Sequence, residues 1–342
     1  MVSIGSLPNA VALCLVSTLA ACTSDDCVEL LQFRDQAELT RIEPLPHGYV
    51  LDAFGRLVAY ELDDTPRFEI AGHDLVFRTT DDGRVLVARA DDMGLQVDAW
   101  SSTGEALGEL ARIDGVPAEL GRPHVVMWPD GRMHAWGGDF RDWWEASSDD
   151  GMTTSDVTGV EDMRVLDDGR SYVLTRTILD EMGIETRDEL SLRDVAGQTQ
   201  WTVMLGEGPA LERPALELVT VVDDQLVLRL LEGTGTEDVA VACETRWYDT
   251  AGTLVRSIPS TYVPQYESPP RPLRLPDGSL VEVDKSRAEL GVRVLDEDGD
   301  VRCEHGVEAD EAFGVSDLAF VDDVLLVVTV DRITHLRLNL PD

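Results

Sequence analysis

The chain has 342 residues, with 66 acidic and 28 basic side chains and a net charge of −38. A field this acidic repels phosphate backbones and anionic headgroups, which rely on basic contacts, so nucleic acid is excluded as a partner class. Hydrophobic residues make up 43% of the chain, ample for a large core. Length alone suggests two domains, but a closed all-β array absorbs it as one.

In chain order, the first element is an uncharged leader. Residues 1–21 carry no charged side chain, and Ala10–Ala21 is an apolar run. At about a dozen residues the run is too short to span a bilayer, but it has the length of a signal-peptide core. It ends in Leu19-Ala20-Ala21-Cys22. These four residues resemble the lipobox of bacterial lipoproteins. The resemblance implies cleavage before Cys22 and diacylation of that cysteine, a stable anchor at about 0.8 kcal/mol per buried methylene. Thr23 stands where an Asp would imply retention at the inner membrane, so the implied location is the cell envelope, with the outer membrane ahead of the inner. Met1–Asn9 lacks the Lys or Arg usual in such leaders. The alternative is a hydrophobic N-terminal strand with an incidental cysteine. The resulting division is 1–21 signal peptide, 22–38 lipidated tether and first strand, and 39–342 body.

Cys14 leaves with the leader, and Cys22 is the lipid site. Cys27, Cys243 and Cys303 remain, in what is then an oxidising space. At most one disulfide forms among three, and the spacing does not say which. No Cys-x-x-Cys or Cys/His cluster calls for structural zinc.

From about Leu39 the texture is uniform. Apolar runs flank turns at His47-Gly48, Asp82-Gly83, Asp130-Gly131, Asp168-Gly169, Asp223-Asp224, Asp277-Gly278 and Asp322-Asp323. Their spacing of roughly 35 to 55 residues is the size of a four-stranded propeller blade. Acidic-glycine dipeptides between alternating apolar segments are strong hairpin signals, because such turns need positive φ. Second turns follow at Ser102–Glu105, Ser148–Gly151, Asp194–Gly197, Asp249–Gly252 and Asp296–Gly299, giving two hairpins per period. That pairing predicts an all-β propeller of seven blades, with six as the alternative. Val28–Ala37 and Leu179–Asp188 have the composition of short helical turns but no sustained 3.6-residue period. The last unit supplies three strands, Leu318–Val321, Val324–Val330 and Thr334–Leu338, so the segment near Glu29–Arg41 is the natural donor of the fourth and would close the ring.

Ser147, Asp149, Gly151 and Thr153 lie in Ser147–Thr154, which resembles the Asp box of sialidase-like propellers, with Thr154 in place of the aromatic. The resemblance implies a structural turn between the third and fourth strands of a blade, away from any catalytic face. The run Asp296–Asp300 reads as a hairpin turn. Its glycine falls fourth and Val307 occupies position 12, against the ligand pattern of a calcium loop, so weak surface calcium is the alternative.

Tryptophans cluster between Trp100 and Trp144. Trp128 and Trp136 fit blade packing. In Gly137–Trp144, glycines and charges suggest a loop, making Trp143, Trp144, Phe140 and Arg141 a candidate ligand platform. His124 and His134 flank the Asp130-Gly131 turn, where ordinary histidines are the plainer reading and a shared metal the other. No nucleophile elbow, phosphate loop or dinucleotide fingerprint appears, and no metal or cofactor is expected. The expectation is a lipid-anchored propeller that binds or scaffolds a protein or glycan at the envelope. Its rival is an envelope hydrolase or lyase with carboxylates at the funnel.

Overall fold

The computed structural model describes residues 27–340, apart from 36–38, 54–55, 73–75, 92, 117–122, 139–142, 150, 156, 167, 210–214, 223–224, 233–240, 263–267, 286–288, 297–299, 309–314 and 330–331. Residues 1–21, expected as a signal peptide, and Cys22 therefore lie outside the described residues, as do Asp223 and Asp224.

Short alternating segments separated by tight turns fold as antiparallel meanders, and seven of them form seven four-stranded sheets. Blade I holds β2 (Leu39–Leu45), β3 (Gly48–Ala53), β4 (Arg56–Glu61) and β5 (Pro66–Ala71). Blade II holds β6 (Val76–Thr79), β7 (Val85–Asp91), β8 (Gly94–Trp100) and β9 (Ala106–Asp114). Blade III holds β10 (His124–Met127), β11 (Met133–Gly137), β12 (Trp143–Ser147) and β13 (Gly151–Ser155). Blade IV is β14 (Thr158–Val165), β15 (Ser171–Ile178), β16 (Glu185–Arg193) and β17 (Thr199–Pro209). Blade V is β18 (Ala215–Val222), β19 (Gln225–Glu232), β20 (Val241–Tyr248) and β21 (Leu254–Tyr262). Blade VI is β22 (Ser268–Arg274), β23 (Leu280–Lys285), β24 (Glu289–Leu295) and β25 (Val301–Glu308).

Blade VII is completed from both chain ends. Its order is β1-β28-β27-β26, with β26 (Val315–Val321), β27 (Val324–Thr329), β28 (Arg332–Leu338) and the N-terminal β1 (Val28–Asp35). Val28 pairs with Leu338 and Asp35 with Arg332. The seven-bladed reading stands and the six-bladed alternative falls. Of the Val28–Ala37 segment, Val28–Asp35 forms a strand instead of a helical turn, and Leu179–Asp188 forms the β15–β16 connection and the start of β16. Among the described residues no helix is long and apolar enough to cross a membrane.

Middle strands are buried on both faces, which explains their continuous apolar runs. Along β27, Val324, Leu326 and Val328 pack with Tyr49, Leu51 and Val58 of blade I. The alternate residues Leu325 and Val327 pack with Val281, Val283 and Val292 of blade VI. The period of two thus divides each strand between its two neighbours.

The turns interlock the blades. In the three Asp-Gly-Arg turns the arginine Nε donates to the aspartate: Arg84 to Asp82 at 2.8 Å, Arg132 to Asp130 at 2.8 Å and Arg170 to Asp168 at 2.6 Å. Exposed pairs of this kind contribute about 0–1 kcal/mol each, but they aim the guanidinium at the next blade. Arg84 reaches the Pro129 carbonyl and Arg132 the Val195 carbonyl, both at 3.4 Å. Trp128 donates its indole N–H to the Gly169 carbonyl at 3.0 Å, and Trp201 to that of Thr250 at 2.6 Å. Glycine is required at two of these contacts. A Cβ on Gly131 (φ 93°) would sit 2.8 Å from Leu110, and one on Gly252 (φ 80°) 2.9 Å from Trp201.

Cys27 and Cys303 form the disulfide that the spacing left open. Cys243 lies in β20, and its side chain is outside the described residues. The bridge joins the root of the closing strand to β25 of blade VI, across a sequence separation of 276 residues. A cross-link closing so long a loop removes much denatured-state entropy. Replacing Cys303 with Ala is expected to lower stability by about 3–5 kcal/mol, measured as a fall in the urea midpoint that reducing the wild-type protein reproduces.

Candidate functional site

The first strands of the blades, β2, β6, β10, β14, β18, β22 and β26, neighbour one another around the axis. Their polar side chains were the best candidates for funnel chemistry. They bind the ring together instead. The Asp317 carboxylate accepts the N–H of Leu318 at 3.0 Å and that of Ile42, in blade I, at 3.0 Å. Asp162 repeats the arrangement, accepting from Met163 at 2.8 Å and from Leu218 of blade V at 3.2 Å. Both sit at irregularities in the pairing of the first strand with the second, where a bulge re-aims a side chain. Arg78 donates to the Met127 carbonyl of blade III at 2.8 Å. The Thr79 hydroxyl donates to Glu43 at 3.4 Å, and Arg41 pairs with the same carboxylate at 2.6 Å.

The Asp162 carboxyl is held above the usual carboxylate range. Burial pushes it up, against the Arg164 charge and the backbone N–H groups of Met163 and Leu218.

A second polar layer pairs charges across the strands of blades II to VI. Arg176 Nε lies 2.9 Å from Asp188 Oδ1 and Arg293 3.1 Å from Glu282. Arg89 pairs with Asp98, and Arg229 with Glu217. In blade III the pair is His134–Glu145 at 3.3 Å, with Arg193 of blade IV at 3.8 Å from the same oxygen. Burial raises the Glu145 carboxyl, yet the His134 hydrogen bond and the Arg193 charge hold it below the carboxylate range. Each such carboxylate therefore has a fixed cationic or imidazole neighbour.

The densest cluster lies at the closing seam between blades I and VII. His335 on β28 is 1% exposed. Its Nδ1 lies 3.3 Å from Gln32 Nε2, and its Nε2 lies 3.3 Å from Asp64 Oδ1. The Gln32 amide can only donate to Nδ1, so the ring proton sits on Nε2, facing Asp64. Gln32 Nε2 also lies 3.3 Å from Asp64 Oδ2 and 3.2 Å from the Leu62 carbonyl, so its two amide protons are shared among three acceptors. The Tyr49 hydroxyl donates to Asp64, and Arg34 donates to Tyr60 at 3.0 Å while its guanidinium covers that ring at 4.1 Å. Burial and the Asp64 charge push the Tyr49 phenol up, so it stays a neutral donor. For Asp64, burial raises the carboxyl, but His335, Tyr49 and Arg34 more than offset it and hold it below the usual range. The Tyr–Asp–His constellation is enclosed between two blades and is a structural joint.

The aromatic platform is a correction. Trp143 and Trp144 lie in strand β12, 7% and 2% exposed, not in an open loop. Phe140 and Arg141 lie outside the described residues. Trp144 crosses the strand pair to cover Gly137, whose missing side chain leaves room for the indole. Trp143 lies flat on Gly159 of β14, where any Cβ would run into the ring. The indoles pack between blades, as Trp136 does beside Val160 and Met163. Ser147 and Gly151 of the Asp-box-like turn face each other across β12 and β13, the third and fourth strands of blade III. Asp149 and Thr153 are exposed there.

His124 stacks on Trp136 at 5.4 Å, and His134 lies against the same indole at 6.1 Å. Among the described residues no group of three His, Cys, Asp or Glu is placed to hold a metal. The backbone N–H of Asp296 donates to the Asp300 carbonyl at 3.0 Å, a hairpin closure, while 297–299 lie outside the described residues.

One surface feature was missed from the sequence. The β15–β16 connection exposes Leu179 (42%), Met182 (72%) and Ile184 (54%), with Val157 also exposed. Ile178 donates its N–H to the Val157 carbonyl at 2.8 Å. The apolar residues were legible. That they are exposed together at one connection was not.

Two substitutions test these assignments. Because the Asp64 carboxyl is held low in the folded state, its contribution is present above the ordinary carboxylate range and fades as pH falls through the lowered value. Asp64→Asn should lower stability by about 1–3 kcal/mol at pH 7, and the gap to wild type should narrow in acid, read from urea melts across pH. Gly159→Ala should destabilise by about 1–3 kcal/mol through overpacking against Trp143, with a red-shifted tryptophan emission marking exposure of the indole.

No protein family matches the chain, and no curated protein matches it. Solved structures do. The Pan2 WD40 domain of Neurospora crassa superposes with a TM-score of 0.55 at 9% identity, over 92% of this chain and 96% of that one. Virginiamycin B lyase from Staphylococcus aureus gives 0.53 at 11% identity, over 91% and 99%. Drosophila Plexin A, solved with Semaphorin 1b, gives 0.53 at 10%, over 91% and 87%. A lyase, a WD40 domain and a plexin share this fold, so at such identities the likeness is one of fold alone. By fold the chain is a seven-bladed β-propeller module.

Proposed function

We propose that this propeller is a lipid-anchored binding or scaffold module of the bacterial cell envelope, held through Cys22, with a protein or glycan partner and without nucleic acid. The observation that carries the reading is the Cys27–Cys303 disulfide. Structural disulfides persist in oxidising spaces and are rare in the cytosol, and this one begins just past Leu19-Ala20-Ala21-Cys22. The anchor and the bridge thus point to the same side of the membrane. The outer membrane is the favoured location, on Thr23. A binding role is supported by the exposed apolar tip Leu179–Ile184, since clustered exposed apolar residues mark interaction sites.

The second reading, an envelope hydrolase or lyase on carbohydrate or peptide, rests on Asp162, an inner-strand carboxylate raised by burial. Its oxygens are already engaged by two backbone N–H groups and by Arg164 at 2.5 Å. That makes it a joint between blades IV and V and the weaker basis for chemistry.

Expression of the full chain in a diderm bacterium with labelled palmitate tests the anchor. Label and protein should both sit in the outer-membrane fraction, and Cys22→Ser should lose the label and move to the soluble periplasmic fraction. An unlabelled wild-type protein would sink the proposal.

A further inference from the structure

In every blade the first-to-second and third-to-fourth turns lie at one end of the strands, and the second-to-third and blade-to-blade connections at the other. Strand β1 fills the fourth position of blade VII and runs antiparallel to β28, so Val28 lies opposite Leu338, at the turn end. Cys27 is fixed there in three ways. Its carbonyl accepts the Asn339 N–H at 2.9 Å, its sulfur is bonded to Cys303, and its side chain is buried. The same end carries the exposed carboxylates of Asp82, Asp130, Asp149, Asp277, Asp322 and Asp323.

Resting on the lipid-anchor reading above, we infer that the propeller stands with its acidic-turn face toward the bilayer and its blade-to-blade connections directed away from it. From Cys22 to Cys27 is five residue steps, at most about 17 Å of chain. A strand of seven residues spans about 23 Å, so the two faces differ in height by more than the tether can make up. The disulfide keeps the root of β1 from peeling and lengthening the tether. Acidic side chains are repelled by anionic headgroups, but the screening length is about 8 Å at physiological salt. The tether reaches about two such lengths, so the turn face stands off the surface in screened solution without adhering to it. The apolar tip Leu179–Ile184 belongs to a second-to-third-strand connection and is therefore presented on the far side.

Energy transfer to labelled lipid tests this orientation. The acylated full chain carrying Cys243→Ser is given one added cysteine, at Ala251 in a third-to-fourth-strand turn or at Met182 in the tip. Each is labelled with a maleimide donor and reconstituted in vesicles of phosphatidylethanolamine and phosphatidylglycerol (3:1) bearing acceptor-labelled lipid. The Ala251→Cys donor should transfer at least twofold more efficiently than the Met182→Cys donor, and the difference should persist at physiological salt. Flotation with the vesicles is scored separately. Proteins that float but transfer equally, or in the reverse order, overturn the orientation alone. Failure of the acylated protein to float overturns the anchor, and the orientation with it.

Discussion

Everything in this fold depends on closing the ring. A blade whose middle strands are apolar on both faces cannot stand alone, since each face needs a neighbour to remove it from water. Six consecutive meanders satisfy this in the interior of the array. The seventh lacks its outer strand, and β1 supplies it from the other end of the chain. Loop-closure entropy grows only logarithmically with length, so a pairing between the two ends is affordable once the intervening blades have formed. The Cys27–Cys303 bridge and the Tyr49–Asp64–His335 joint then lie on the two sides of that blade, one toward blade VI and one toward blade I.

The acidic-glycine turns serve the same closure. As sequence they mark where strands reverse, because glycine or a tolerant Asp or His supplies positive φ. In the ring they also carry contacts between blades, through Arg84, Arg132, Trp128 and Trp201 reaching backbone carbonyls of the following blade. Repeating Asp-Gly-Arg is thus hairpin chemistry and blade-to-blade chemistry in one motif. Polar groups along the axis behave alike. Asp162 and Asp317 look like free acids in the sequence, but each accepts a backbone N–H from the next blade. Buried polar groups need partners, and here the neighbouring strand provides them.

The candidate site was legible only in part. The Asp-box-like turn could be placed from its own residues, because a turn is local. The tryptophan platform could not. Gly137–Asp142 has loop composition, yet Trp143 and Trp144 belong to a strand whose partners are glycines: Gly137 on the adjacent strand and Gly159 in the next blade. A small residue that makes room for an indole is a signal, but it becomes readable only once register and blade contacts are known. The pairing of Cys27 with Cys303 is of the same kind, since nothing local distinguishes it from a bridge to Cys243. The His335 joint combines residues from β1, β3, β28 and the turn after β4, and no spacing rule links them.

By itself the sequence determined the class of the fold, the blade period, the positions of the turns and the need for an N-terminal closing strand. These follow from short-range physics: a period of two in hydrophobicity, positive φ at turns, and the intolerance of open sheet edges. Tertiary structure alone decided the disulfide, the burial of the tryptophans, the partners of the inner carboxylates and the end of the ring at which β1 enters. Each of those depends on which residues of distant blades meet across a seam. That is set by ring closure, not by any local run of side chains.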